Sequence, residues 1–222
     1  DAAAMQALRR DLAPPGWGPG ADHCAWRGVT CAAAGAGGVV TAIELPRRGL
    51  RGDFAAAAEL RELARLDLSA NSLSGGLSPA FGALTRLEFL DLSMNALAGA
   101  VPPALGGASR LRFLNLSNNA LSGAIPTELS ALLNLAVLNL SANALSGAIP
   151  RELASCAYLN VIDLHGNQLS GPIPDELGLL VRYQPSMSPT TASRAPSPCS
   201  SPTAPVLARQ PSGRRGSMPA PS

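Results

Sequence analysis

The 222-residue sequence contains no lysine, and all 17 of its basic residues are arginine. The catalytic lobe of a protein kinase needs a lysine that pairs with the nucleotide phosphates, so this absence excludes such a lobe from the chain. The Gly-rich phosphate loop and the HRD and DFG motifs of kinases are missing as well. We therefore expect no kinase activity in these residues.

Aromatic residues are scarce, at 4% of the chain, and charged residues reach only 14%. Residues 1–177 carry 12 Arg and 15 acidic residues, whereas residues 178–222 carry 5 Arg and no acid, which gives −3 against +5. The larger region has no basic stripe and no base-stacking aromatic motif. Both absences argue against a nucleic-acid partner.

No run approaches the ~18 apolar residues of a membrane-spanning helix, and the chain begins at Asp1 without a charged-then-apolar leader. We expect a soluble segment, with any signal peptide removed or outside the sequence. The two histidines, His23 and His165, stand in no motif with a nucleophile, and no G-x-S-x-G, H-E-x-x-H or phosphate-loop pattern occurs. The sequence predicts a protein that is not an enzyme and holds no metal or cofactor.

Cysteines are also few. Cys24 and Cys31 lie close together in DHCAWRGVTC, whereas Cys156 and Cys199 have no nearby mate. A pair that closes a short loop is typical of a disulfide in an oxidising compartment. The rival interpretation, a metal site that also uses His23, has only three candidate ligands, fewer than a structural zinc requires. We expect Cys156 to be a packed free thiol and not a nucleophile.

A repeated frame fills the middle of the chain. Residues 114–126 read LNLSNNALSGAIP and residues 138–150 read LNLSANALSGAIP. The frame recurs every 24 residues around five asparagines, which are Asn71, Asn95, Asn119, Asn143 and Asn167. A degraded copy, IELPRRGLRGDF, precedes them with Arg48 in place of the asparagine. One such unit cannot bury its own leucines, so the six units predict a stacked array rather than a catalytic site.

The frame L-x-x-L-x-L-x-x-N-x-L has a physical meaning at each position. In LRFLNLSNN, the alternation of Leu114 and Leu116 predicts a short strand with both side chains inside. Asn119 turns the chain, because its amide can satisfy backbone groups left open at the turn. Stacked copies of this asparagine predict a continuous ladder. Gly123 allows a tight bend, and Pro126 ends strand pairing.

LSGAIP after L-x-L-S-x-N closely resembles the plant-specific class of leucine-rich repeats, and W…DHCAWRGVTC resembles the N-terminal cap of plant receptor-like kinases and receptor-like proteins. The resemblance covers residues 1 to about 180. It implies an α/β repeat fold: a right-handed solenoid with a concave parallel β-sheet and a second short strand around SGxIP. It also implies a helical, disulfide-bonded cap in which Leu8 and Leu12 face the first repeat. Trp17 and Trp26 would close that end.

The predicted organisation has three regions, which are an N-terminal cap over 1–38, about six repeats of 23–24 residues over 39–180, and a Ser/Pro/Arg-rich tail over 181–222. The tail is expected to be disordered, because Pro and Ser dominate it and hydrophobic periodicity vanishes.

The repeat frame breaks at the start of this tail. Thr191 stands 24 residues after Asn167, where another asparagine belongs, and no second cysteine pair closes the array. We expect Leu177, Leu179 and Leu180 to be exposed at an uncapped end. Two origins stay open: a Ser-Pro hinge like that of short co-receptor kinases, or a longer array cut off and continued in unrelated sequence.

Strand geometry predicts which side chains face solvent on the concave side. Phe89 and Phe113 are the most informative, since they are neighbours on adjacent strands where the repeat requires nothing apolar. They form either a partner-binding patch or a cover over the sheet. The recurring Asp or Asn two residues later is interpreted as scaffold. The residues predicted to bind a ligand are Arg65, Phe89, Asp91, Arg112, Phe113, Val137, Asp163 and His165.

Two positions fit the N-glycosylation acceptor pattern, Asn115 with Ser117 and Asn139 with Ser141. Both are predicted to project from the concave face. Glycans there would obstruct broad contact at their repeats and shift binding toward Arg65, Phe89 and Asp91 or onto a flank of the solenoid.

The leading hypothesis is an extracellular or cell-surface repeat module that resembles the sensing ectodomain of a plant receptor-like kinase. Its predicted partners are a peptide or protein ligand and a co-receptor leucine-rich-repeat protein. Attachment to a membrane is expected only through segments absent from this chain, which would place it at the plasma membrane if it is part of a longer receptor. Two alternatives stay open: a secreted defence protein similar to polygalacturonase inhibitors, which predicts a basic concave surface, and a truncated receptor product without independent function.

Overall fold

The computed structural model describes residues 1–18, 22–32 and 38–182. The prediction of a disordered tail falls, from residue 183 onward, outside the described residues, as does Cys199. Within the described residues no helix combines the length and apolarity needed to cross a lipid bilayer.

The chain opens with a helix, α1, at Ala2–Leu12. Its buried residues Ala4, Met5, Leu8 and Leu12 lie on one face, the spacing expected of an amphipathic helix. Helix α1 packs against the first 3₁₀ helix of the repeats and the strand before it, which confirms the predicted placement of Leu8 and Leu12. The Asp1 side chain also joins the start of the helix to the first repeat, because one of its carboxylate oxygens accepts a hydrogen bond from the Val40 N–H at 2.7 Å.

The strands form two sheets. In chain order they are β1 Val29–Ala32, β2 Val39–Glu44, β3 Arg51–Gly52, β4 Arg65–Asp67, β5 Ser72–Gly75, β6 Phe89–Asp91, β7 Ala96–Ala100, β8 Phe113–Asn115, β9 Ala120–Ala124, β10 Val137–Asn139, β11 Ala144–Gly147, β12 Val161–Asp163 and β13 Gln168–Leu169. The first sheet has the order β1-β2-β4-β6-β8-β10-β12, and the second β13-β11-β9-β7-β5-β3. Apart from the antiparallel pair β1 and β2, paired strands are parallel.

The first sheet contains the predicted L-x-L strands, and the second contains the predicted short strands at SGxIP. One short 3₁₀ helix lies in the N-terminal cap at His23–Ala25, and others complete the coils at Ala55–Glu59, Pro79–Ala83, Pro103–Gly107, Thr127–Ala131, Arg151–Ser155 and Asp175–Arg182. Each coil therefore contributes one strand to each sheet and a 3₁₀ helix on the opposite side, which is the predicted solenoid.

The core is a continuous column of leucines between the sheets. Leu66, Leu90, Leu114 and Leu138 stack in register on successive strands and are fully buried. Each coil buries the leucines of its neighbours, so the repeats are stable only as an array.

The repeat asparagines join each coil to the one before it. Each Nδ2 donates to the carbonyl three residues earlier and to a carbonyl 26 or 27 residues earlier. Each Oδ1 accepts a backbone N–H from the preceding coil. The members of this ladder are Asn71, Asn95, Asn119, Asn143 and Asn167. The ladder begins at the degraded unit, where Arg48 replaces the asparagine and contributes only its backbone N–H, which donates to Asn71 Oδ1.

The N-terminal cap is closed by a disulfide between Cys24 and Cys31. In the same cap the rings of Trp17 and Trp26 stack with centroids 4.7 Å apart, and Trp17 Nε1 donates to the Arg27 carbonyl at 3.1 Å. Both indoles are buried, as the predicted role in closing this end requires.

We expect the double substitution Cys24→Ser and Cys31→Ser to lower the free energy of unfolding by about 2.5 kcal/mol. The bridge closes a short loop, with a sequence separation of 7, and a loop of this length gives roughly that entropic stabilisation. Urea denaturation followed by circular dichroism measures the change. Reductant should lower the stability of the natural chain by a similar amount and leave the double variant unchanged; a further fall in the variant would contradict this assignment.

Cys156 is fully buried, and its Sγ lies 3.6 Å from the Leu129 carbonyl oxygen, to which it donates. Burial raises the pKa of this thiol to about 11, so only about one thiol in a thousand is ionised at pH 8. We expect no reaction with a thiol reagent at pH 8 until urea unfolds the chain. A mass-spectrometric count of labelled Cys156 tests this, and rapid labelling of the folded protein would contradict it.

One expectation about the last described coil, the exposure of Leu177, was wrong. Leu177 was predicted to be exposed at an uncapped end, but it is 3% exposed, because the 3₁₀ helix Asp175–Arg182 packs onto the preceding one. The side chains of Leu179 and Leu180 are outside the described part. The exposed apolar residues of this end are instead Tyr158, Val161 and Ile173.

Candidate functional site on the concave sheet

Two rows of side chains cross the concave sheet on its solvent side. The strand register aligns them: the first row is Ala42, Arg65, Phe89, Phe113, Val137 and Val161, and the second row is Glu44, Asp67, Asp91, Asn115, Asn139 and Asp163. Within each strand the two rows flank a Leu or Ile on the core side, since alternate side chains point to opposite faces; this residue is buried except for Ile162 in the last strand, which is partly buried. The register places the predicted ligand-binding residues Arg65, Phe89, Phe113 and Val137 in the first row, and Asp91 and Asp163 in the second.

Two phenylalanines stack at the centre of the first row. The rings of Phe89 and Phe113 have centroids 4.4 Å apart and planes 5° from parallel, and both are half-buried. The other two, Phe54 and Phe81, are fully buried in the core. A repeat that requires no apolar residue at this position thus holds an aromatic pair at solvent, an arrangement typical of recognition surfaces.

An arginine extends this stack toward the N-terminal end of the sheet. The Arg65 guanidinium carbon lies 3.6 Å from the Phe89 ring centroid, a cation–π contact. Its Nε donates to Glu44 Oε1 at 2.6 Å. Because Glu44 compensates its charge and Phe89 holds its plane, Arg65 is a fixed part of the stack and not a free anion-binding group. We name Glu44, Arg65, Phe89 and Phe113 the stacked column.

The sequence analysis placed Glu44 outside the candidate binding residues. The strand register predicted from the sequence could have identified it, because Glu44 stands on the strand next to that of Arg65 and the two side chains carry opposite charges. Val161 was also omitted, although it ends the first row and is 46% exposed.

From the second repeat onward, the second row has a structural role. One oxygen of Asp67 accepts the N–H and the hydroxyl of Ser69, at 3.0 and 2.7 Å. Asp91 does the same for Ser93. Asn139 repeats the pattern. These bonds fix the turn that follows each strand, which supports the interpretation of this row as scaffold.

Both glycosylation acceptor patterns coincide with this structural role. Asn115 Oδ1 accepts the Ser117 N–H at 3.2 Å, and Asn115 Nδ2 donates to Asp91 Oδ2 at 3.2 Å. The serine of each pattern is the turn serine and is buried. An acceptor pattern therefore arises where the scaffold position holds Asn and the turn residue two positions later is Ser. Occupancy of Asn115 and Asn139 by glycans stays a prediction.

The other predicted binding residues lie at the margins of the stacked column. Arg112 is exposed beside Phe113, and its backbone N–H binds the Glu88 carbonyl. His165 lies at the C-terminal end, with Nδ1 2.6 Å from Asp163 Oδ1. At roughly 4.8 Å per strand, that pair is about 10 Å or more from Phe113, so a single small ligand would not contact both.

One group of potential metal ligands occurs among the described residues. Ligand atoms of His23, Cys24 and Cys31 lie within 4.8 Å of one another. Both sulfurs are engaged in the disulfide, and His23 Nε2 is 3.0 Å from the Gly38 carbonyl oxygen. A disulfide sulfur carries no thiolate to bind a cation, so this group does not fit a metal site.

Comparison with known proteins matches both the repeats and the N-terminal cap. The leucine rich repeat family matches residues 61–121 and 109–169, and the leucine rich repeat N-terminal domain matches residues 1–32. The leucine-rich repeat receptor-like tyrosine-protein kinase PXC3 of Arabidopsis thaliana is 40% identical over 86 residues, which are 38% of this chain and 9% of that kinase. The chain aligns with about a tenth or less of the length of its curated relatives.

Two solved structures share the fold. The repeat ectodomain of the Arabidopsis thaliana receptor kinase SOBIR1 is 34% identical, with a TM-score of 0.68, and the match covers 78% of this chain and 96% of that one. The Arabidopsis receptor kinase HAESA, in complex with the peptide hormone IDA and the co-receptor SERK1, is 33% identical over 81% of this chain and 31% of its own, with a TM-score of 0.71. The chain therefore belongs to the leucine-rich repeat family and is homologous to the repeat ectodomains of plant receptor kinases.

Proposed function

We propose that this chain is an extracellular recognition module that binds a peptide or protein ligand on its concave sheet and catalyses no reaction. The observation that carries the proposal is the stacked column, in which Phe89 and Phe113 stand at solvent where the repeat requires no apolar side chain. Aromatic groups held rigidly by neighbours lose little conformational entropy on binding, which favours affinity.

The relatives support this proposal and suggest the partners. The HAESA structure contains a peptide hormone and a co-receptor together, so we propose a peptide ligand on the stacked column and a second repeat protein as co-receptor. The Cys24–Cys31 disulfide is consistent with the secretory pathway. Attachment to the plasma membrane would follow if the chain is part of a longer receptor.

The alternative of an inhibitor similar to those of polygalacturonases is not favoured by the concave surface. That alternative predicts a basic face, whereas the second row carries Glu44, Asp67, Asp91 and Asp163 and no basic residue. The arginine of the first row is already paired with Glu44. An acidic face would repel an acidic enzyme surface.

A displayed library of random dodecapeptides, selected on the immobilised full chain, tests the proposal. We expect selected peptides to lose at least tenfold in affinity on the double variant Phe89→Ala and Phe113→Ala. The matched control is Leu133→Ala, another exposed apolar residue (58%) that lies outside both sheets; it should bind like the natural chain. Selected peptides that bind the double variant unchanged would overturn the proposal, provided circular dichroism shows both variants folded.

A further inference from the structure

We infer that the ligand of the concave sheet is an extended peptide with a basic side chain close to a bulky apolar one. The basic group would face Asp67 and Asp91, and the apolar group would lie on the exposed ring of Phe113 and toward Val137. This inference rests on the proposed function and adds the chemical class of the ligand.

Two carboxylates of the second row, those of Asp67 and Asp91, lack a compensating cation among the described residues. Neither Asp67 nor Asp91 lies within 4.0 Å of an arginine or histidine nitrogen, as judged over the described residues. Arg65, which stands on the same strand as Asp67, is held 2.6 Å from Glu44 instead. The two carboxylates are half-buried, so their electrostatic attraction for an incoming cation is screened less than it would be in bulk water.

The hydrogen bonds of these carboxylates leave acceptor capacity toward solvent. In each residue Oδ1 accepts from the turn serine. Asp91 Oδ2 accepts only from the Asn115 amide, and within the described structure Asp67 Oδ2 has no donor. A carboxylate can accept about four hydrogen bonds. The face therefore offers acceptors and charge to a ligand that supplies donors, as a guanidinium or ammonium group does.

The apolar surface is open on one side only. Arg65 covers the face of Phe89 at the N-terminal end of the column, so an apolar ligand group has access at Phe113 and at the valines that follow. Val137 is half-buried, and Val161 is 46% exposed. The surface thus changes from acidic to apolar along the sheet, and charge complementarity selects a peptide with the matching order.

The spacing fits an extended chain. The two rows lie two residues apart along each strand, about 7 Å at 3.3–3.4 Å per residue. An extended ligand places alternate side chains at the same separation. Asp91 and Phe113 lie on adjacent strands, about 5 Å apart across the sheet and about 7 Å along it, so the two ligand sites are about 8 Å apart. A basic residue two positions from an apolar one reaches both, because its long side chain covers the difference.

The repeats themselves supply a substitution that removes charge and keeps the scaffold. Asn139 accepts the N–H and hydroxyl of its turn serine as Asp67 and Asp91 do, so the double variant Asp67→Asn and Asp91→Asn should fold normally. Both changes create an Asn-Leu-Ser pattern, and the protein should therefore be produced in a bacterial periplasm, where the disulfide forms and no glycan is added. The matched control is Glu59→Gln with Glu176→Gln, two exposed acids on 3₁₀ helices.

The experiment selects random hexapeptides on the full chain and measures their affinity by calorimetry at two salt concentrations. We expect Arg or Lys to be enriched two positions from Phe, Leu or Pro. The charge-removing double variant should bind these peptides at least tenfold more weakly and lose most of the salt dependence. The control should bind them as the natural chain does.

The outcomes separate this inference from the proposed function. Enrichment of acidic residues in the selected peptides, or equal affinity of these peptides for the charge-removing variant, overturns the inference. If those peptides still bind the double variant Phe89→Ala and Phe113→Ala more weakly, the proposed function remains intact. Peptides insensitive to both double variants overturn both. A competition experiment tests the chain's own C-terminal segment, since residues 183–222 hold four Arg and no acid. If a synthetic peptide of these residues displaces the selected peptides at a lower concentration than unlabelled selected peptides do, the C-terminal segment is the occupant. That result overturns the assignment to a separate ligand.

Discussion

The substitution Asn119→Ala should lower the free energy of unfolding by about 4 kcal/mol. The Asn119 amide donates to the carbonyls of Leu92, Leu116 and Ser117, at 3.0, 3.1 and 3.2 Å, and its Oδ1 accepts the Leu97 N–H at 3.0 Å. Alanine leaves these backbone groups without a partner inside the coil. Each unsatisfied group costs about 1–3 kcal/mol, and partial relaxation keeps the total below the full sum.

The neighbouring residue provides the control. Asn118 is exposed and has a φ of 55°, a left-handed conformation that alanine usually resists. The equivalent positions Ala70 and Ala142 nevertheless hold alanine with φ of 54° and 52°. We therefore expect Asn118→Ala to cost less than about 1 kcal/mol. Urea denaturation of the two variants measures the difference, and equal losses would show that the ladder is not a main source of stability.

The ladder shows why much of this fold could be predicted from the sequence. A period of 24 residues repeats the same environment, so a Leu or Asn that is required once is required in every coil. The strand positions of Leu114 and Phe113 follow from that period and from the alternation of side chains across a strand. Even the adjacency of Phe89 and Phe113 could be predicted, because parallel strands in register place equivalent positions side by side.

What could not be predicted depends on side-chain conformation and on contacts outside the repeat frame. The period places Arg65 beside Phe89 but does not say whether its guanidinium extends into solvent or lies on the ring; the structure shows the latter, with Glu44 as the partner. Leu177 was expected at an open end, yet the last 3₁₀ helix buries it. In both cases a local interaction decides, and the repeat pattern contains no information about it.

The coil spacing on the 3₁₀ side shows a second departure from strict repetition. A Cβ built on Gly82 would overlap the backbone carbonyl of Ala104 in the next coil, and one on Gly106 would overlap that of Glu128. The equivalent positions in the following coils hold Ser130 and Ala154. The coils that contain the two glycines therefore approach more closely than side chains would allow, and glycine is needed there for space.

We expect Gly82→Ala to lower the free energy of unfolding by about 3 kcal/mol, because two backbone segments must separate to admit one methyl group. Gly178 occupies the same repeat position, and no atom of the described residues lies within 4 Å of its Cβ site. Gly178→Ala should therefore change the free energy of unfolding by less than about 1 kcal/mol, with a tendency toward stabilisation because alanine restricts the unfolded chain. Urea denaturation compares the two. Similar effects at both positions would refute the role of close coil approach.

The same substitution should also weaken ligand binding, although Gly82 lies on the side of the solenoid opposite the concave sheet. Gly82 belongs to the coil of Arg65, and Ala104, which its Cβ would overlap, belongs to the coil of Phe89. Displacement between these two coils alters the contact of the Arg65 guanidinium with the Phe89 ring, whose centroid lies 3.6 Å from the guanidinium carbon. A ring that loses this contact loses rigidity on which the proposed recognition depends. For peptides selected on the natural chain, Gly82→Ala should reduce affinity under conditions where the variant is fully folded, whereas Gly178→Ala should not. Unchanged binding by folded Gly82→Ala would show that the stacked column is positioned by its own strands and not by the spacing of the coils.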